Sequence, residues 1–102
     1  MKSNAQQRFE RLNLHSLLQS LSYVVRLNDL KTAQHLRVRL AWVLRHPHNL
    51  AKPLYGDLKE LFAISGLWVR NVENRHDTKQ QVRQLIRRIV PRLKIQHKRR
   101  QC

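Results

Sequence analysis

Apolar residues recur at three- and four-residue steps through most of the chain. Phe9, Leu12, Leu17, Leu21, Val24 and Val25 fall on one side of a helix drawn from Ala5 to about Leu27, which is the spacing of an amphipathic stripe. Asn28 and Asp29 interrupt the run and offer side-chain oxygens to cap a second helix. Its stripe is Leu30, Ala33, Leu40, Val43 and Leu44, and it should end near Arg45. The stretch Leu36-Arg37-Val38-Arg39-Leu40 alternates as a strand would, but only briefly, and both flanks keep the helical stripe. The helix is therefore retained.

His46-Pro47-His48-Asn49 reads as a loop, because Pro47 lacks an N–H and pushes His46 out of helical geometry. Pro53 suits the first turn of a third helix with Leu54, Leu58, Leu61 and Phe62 inward, and Gly66 is expected to end it. A short fourth helix would follow from Leu67 to about Arg75. Asp77 or Thr78 would cap a fifth that presents Val82, Leu85, Ile86, Ile89 and Val90, with Pro91 stopping or kinking it. The expected fold is all-α: a small bundle of four to five helices with a basic C-terminal helix and tail. Residues 1–91 would form a single domain and residues 92–102 a basic, flexible tail.

Composition agrees with this class. Two Gly and three Pro in 102 residues leave few turns for a many-stranded sheet. At 41% apolar residues the chain can build a modest core, burying roughly 65% of the surface its unfolded form exposes. The single cysteine, Cys102, excludes a disulfide framework within the chain. With no apolar run near the ~20 residues of a membrane span, the expected location is the cytoplasm, without stable membrane insertion.

Charge turns this bundle toward a class of partner. The net charge is +15, and the stretch from Lys79 to Arg100 holds nine Lys or Arg and no Asp or Glu. Lys79, Arg83 and Arg87 repeat at every fourth position, opposite Val82, Leu85, Ile86 and Ile89. One face is thus charged and the other packed. So one-sided a segment calls for a polyanion, and each phosphate neutralised would release a counterion. The expected footprint is Lys79, Arg83, Arg87, Arg88, Arg92, Lys94, Lys98, Arg99 and Arg100. Anionic lipid is a lesser candidate, since no aromatic residue anchors that face.

Residues Glu60 to Arg75 resemble a helix-turn-helix unit, within a stretch reaching from 58 to 76. Gly66 stands where that motif turns, Leu67 follows it, and Val72 stands where a branched residue locks the second helix to the first. Phe62 occupies the place of the usual small residue. The resemblance implies that Val69, Arg70, Asn71, Asn74 and Arg75 begin a helix for the major groove, where Arg pairs with guanine and Asn with adenine. Transcriptional regulation would follow from it.

Arg70-Asn71 followed by His76 is similar to the signature of the HEPN ribonucleases, an all-α family. That likeness implies a metal-independent ribonuclease in which Arg70 steadies the scissile phosphate and His76 assists proton transfer, with Asn71 beside them, across a dimer of paired sites. A further likeness runs from Leu36 to Leu40 through Val43-Leu44-Arg45 and on to Gly66-Leu67-Trp68. These residues resemble the basic four-helix accessory proteins of diversity-generating retroelements, which assemble as rings and hold a reverse transcriptase and its nucleic acid. It implies that a basic bundle can bind nucleic acid without any helix-turn-helix.

The remaining polar residues exclude several chemistries. His46 and His48 flank Pro47, and His15, His35 and His97 are scattered without the cysteines or spaced carboxylates of a zinc site. Gly56 and Gly66 form no phosphate loop, and the six acidic residues make no close pair. No metal and no cofactor are expected. Trp42 and Trp68 read as core or subunit-interface residues, with Trp68, next to Gly66, the better interface candidate. The leading expectation is a basic binder of DNA or RNA, a regulator or accessory subunit of a nucleoprotein complex, with a homodimer or a larger complex as partner. The ribonuclease and a helical adaptor for an acidic protein are the alternatives.

Overall fold

The computed structural model describes the backbone of residues 4–46 and 50–93, and the side chains from Asn13 onward. The side chains of Phe9 and Leu12, the Pro47–Asn49 loop and the tail from Lys94 to Cys102 lie outside what is described. Four helices follow one another: α1 (Asn4–Arg26), α2 (Leu30–Arg45), α3 (Lys52–Arg70) and α4 (Arg75–Leu93). Among the described residues there is no strand. Among the described residues each helix packs against two neighbours in the cycle α1, α2, α3, α4 and back to α1, and none packs across the diagonals. The short connections 27–29, 46–51 and 71–74 make successive helices antiparallel, as in an up-and-down bundle.

The stripes read from the sequence supply the core. Leu17, Leu18, Leu21 and Val25 of α1 meet Ala33 and Leu40 of α2, Leu58 and Leu61 of α3, and Val82, Ile86 and Ile89 of α4 in one buried cluster. Leu36 is buried too, so the alternating stretch is helical and turns both Leu36 and Leu40 inward. Trp68 is 0% exposed, so of its two readings, core and subunit interface, the first holds within the chain and its preference as the interface candidate is corrected. Truncating an aromatic residue so enclosed costs about 3–5 kcal/mol. Trp42 is the exposed one, at 63%, with the His46 ring 4.3 Å from its own.

The turn between α1 and α2 follows from Asn28 and Asp29. Asn28 adopts φ of 60°, a left-handed conformation that Asn tolerates better than most residues. Its N–H donates to the Val25 carbonyl at 3.0 Å, and the Asp29 N–H donates to that of Val24 at 2.9 Å. This is the paired closure of a Schellman motif. Asp29 then caps α2 by accepting the Thr32 N–H at 3.1 Å. The Thr32 side chain and then this backbone N–H, both donating to the carboxylate, hold the Asp29 carboxyl below the usual carboxylate range, with smaller help from His35 and Lys31.

Three expectations about element ends are corrected. α3 does not end at Gly66 but runs four residues further, to Arg70, so the separate helix expected from Leu67 to Arg75 does not form. Leu67 and Trp68 continue the α3 spiral, and burial of Trp68 offsets the roughly 1 kcal/mol that a helix-interior Gly costs relative to Ala. α4 begins at Arg75, ahead of the expected caps, and the Thr78 hydroxyl bonds backward to the Asn74 carbonyl at 3.0 Å. Pro91 does not stop α4 either. Proline removes a single helical hydrogen bond, while Leu93 beyond it is wholly buried. Arg92 and Leu93 thus belong to α4 rather than to a tail.

Candidate nucleic-acid interface

Of the nine basic residues singled out by charge, five are described, and three of these, Lys79, Arg88 and Arg92, are engaged by the fold, as is Arg75. Arg75, the first residue of α4, turns its side chain back over the end of α3. Its Nε donates to the Trp68 carbonyl at 2.9 Å and its Nη2 to that of Val69 at 3.0 Å. A cation at a helix C-terminus meets the unpaired carbonyls and the negative end of the dipole. Lys79 does the same for α1, its Nζ donating to the Arg26 carbonyl at 3.1 Å and to Asn28 Oδ1 at 3.2 Å. Arg92 is ion-paired with Asp57, and Arg88 approaches the same carboxylate at 3.9 Å.

The remaining candidates divide further. Asn71 caps the end of α3, and its Oδ1 accepts the Asn74 N–H at 3.3 Å, so both asparagines build the 71–74 turn. Arg83 is half-buried, its Nε enclosed without an acceptor, while Arg87 is exposed on the outer face of α4. Lys94, Lys98, Arg99 and Arg100 lie outside the described residues. Because α3 does not bend at Gly66, Val69 and Arg70 occupy its last turn instead of opening a recognition helix. Arg70 and His76 stand on different helices, and no hydrogen bond joins their side chains.

The cation that sequence reasoning missed is Arg37. It stands on the apolar stripe of α2, four residues after Ala33 and three before Leu40, and is only 7% exposed. Its guanidinium crosses to α3. There Nε donates to Ser65 Oγ at 2.9 Å and Nη2 to the Phe62 carbonyl at 2.9 Å, while Nη1 donates to Gln34 Oε1 at 2.8 Å. The guanidinium carbon lies 4.2 Å from the centre of the Phe62 ring, within cation–π range. Every one of these partners is neutral.

Gly66 makes the crossing possible. A Cβ there would lie 2.5 Å from Arg37 Nη2 and 3.1 Å from its Cζ, closer than any side chain could remain. The same point is 3.2 Å from Nη1 of Arg70. Two guanidinium groups therefore converge over one bare backbone position. Burial, and then the charge of Arg70, lower the Arg37 pKa from its ordinary value. The sequence did carry a signal for this arrangement: a charged residue on an apolar stripe, and the small pair Ser65-Gly66 on the helix that follows.

Other surfaces offer less chemistry. A shallow apolar groove between α1 and α2 is lined by Gln19, Ser20, Tyr23, Val24, Thr32 and Leu36. The described residues include no cluster of His, Cys, Asp or Glu able to hold a metal ion, and no described helix is long and apolar enough to cross a membrane. No protein-family model, curated protein or solved structure matches the chain.

Proposed function

We propose that this chain is a nucleic-acid-binding helical bundle, an accessory or regulatory subunit that engages DNA or RNA mainly through phosphate contacts. One observation carries the reading: among the described residues, Asp57 is the only carboxylate that pairs with basic side chains, in a chain of net charge +15. The excess has no internal answer, and a phosphate backbone is the polyanion that regularly supplies one. The bundle holds part of this charge in fixed register on its helices, while Lys94, Lys98, Arg99 and Arg100 extend it along the sequence.

The test is the salt dependence of binding. Affinity for a labelled duplex and for a labelled single strand, measured by fluorescence anisotropy over a range of KCl, should fall linearly on logarithmic axes. A slope of zero, or no binding at low salt, rejects the reading. Removing residues 94–102 takes away four cations, so the slope should shrink by about 3. The absorbance ratio at 260 and 280 nm of protein purified without nuclease, with sequencing of what travels with it, separates DNA from RNA.

A further inference from the structure

A buried charge normally has an opposite charge to face. Among the described residues Arg37 has none: its acceptors are a hydroxyl, an amide and a backbone carbonyl, and the charged group that meets it over Gly66 is a second cation, Arg70. Three of its five N–H groups are engaged, so two remain. Among the described residues the Arg70 side chain makes no hydrogen bond or ion pair, and it is exposed. It follows Gly66 by one helical turn, and helical side chains lean toward the N-terminus, which carries its fork back over the glycine. The cleft between the two side chains is thus floored by bare backbone at Gly66, walled by one guanidinium held by three acceptors and one without a partner, and open to solvent at Arg70.

Such a place suits a tetrahedral oxyanion. Guanidinium forks match the oxygens of a phosphate and form charge-assisted bonds to it. An anion between Arg37 and Arg70 would convert their mutual repulsion into two attractions. The Ser65, Gln34 and Phe62 contacts hold Arg37 in place beforehand, so little side-chain freedom is lost on binding. We propose that the Arg37–Gly66–Arg70 cleft is a phosphate-binding site, filled by a phosphodiester group of a bound nucleic-acid strand. The source of the phosphate rests on the function proposed above; the chemistry of the cleft does not.

The experiment compares the full-length chain with Arg70→Gln, Gly66→Ala and the control Arg39→Gln. Arg39 is exposed on α2, and its position two residues from Arg37 places it on a different side of the helix. Gly66→Ala keeps every charge and improves helix propensity, but its methyl occupies the space of the Arg37 fork. Anisotropy with a labelled oligonucleotide should show affinity lowered about ten-fold by Arg70→Gln and by Gly66→Ala, and no more than about three-fold by Arg39→Gln. In parallel, inorganic phosphate at matched ionic strength should raise the melting temperature of the parent and of Arg39→Gln above that in chloride, and should do so less in the other two. Equal affinities for Arg70→Gln and Arg39→Gln, with Gly66→Ala equal to the parent, overturn the site while leaving general nucleic-acid binding intact. A selective phosphate effect without oligonucleotide binding overturns the phosphodiester as source and identifies free phosphate instead. The same phosphate response in all four proteins overturns the cleft outright.

Discussion

The two seams of α3 use arginine in opposite ways. Against α4, positive charge meets something negative: Arg92 and Arg88 face Asp57, and Arg75 covers the carbonyl end of α3. Against α2, Arg37 is more deeply enclosed, yet it meets only neutral acceptors and a second cation. The first seam spends its charge on holding helices together. The second leaves a buried positive charge facing no carboxylate among the described residues, and the proposed phosphate site rests on that difference.

The sharpest way to break this contrast is to remove Arg37. Arg37→Ala should lower stability by about 2–4 kcal/mol, since it opens a cavity and removes the hydrogen bonds to Ser65, Gln34 and the Phe62 carbonyl together with the cation over the Phe62 ring. Arg37→Met, which restores the stem and removes the repulsion with Arg70, should cost less than about 1 kcal/mol. Urea unfolding of both decides it. Equal losses would show that the cation itself builds the α2–α3 seam, and the contrast with α3–α4 would disappear.

Smaller effects should follow on the other seam. Arg75→Ala removes two capping bonds and should cost about 1–2 kcal/mol, read by the same unfolding curves. Asp57→Asn should cost less than about 1 kcal/mol, because the pair is partly solvated, and the difference from the parent should vanish near about 0.5 M salt. A loss that persisted there would make this pair a structural core element. The α1–α2 turn gives a pH signature. The carboxyl of Asp29 titrates lower in the folded chain than in the unfolded one. Its contribution is therefore present above the ordinary carboxylate range and is lost as pH falls through the folded value. Thermal melts of the parent should show this acid-side loss, and melts of Asp29→Asn, which retains a capping oxygen, should lack that component.

What was legible in the sequence was local. Stripe spacing identifies the faces of α1, α2 and α4, Asp29 announces its cap, and counting gives the excess of positive charge. Gly66 was misread because a glycine after an apolar run usually marks a helix end. Here it leaves room for a side chain arriving from another helix. The same limit applies to the basic residues. Arg75 and Lys79 look, in sequence, like any other cations of a charged ridge, yet Lys79 reaches the end of α1 across more than half of the chain.

The chain by itself determined that it is helical, where most of its helices lie and that it carries far more positive than negative charge. These are properties of spacing and composition, set by the 3.6-residue turn and by counting. Only the tertiary structure decided which cations are engaged and which are not. An arginine takes whatever acceptor lies within reach, and for Arg37 those on α3 are 25 and 28 positions away along the chain. Packing α2 against α3 brings them together and leaves Arg37 and Arg70 facing each other over Gly66.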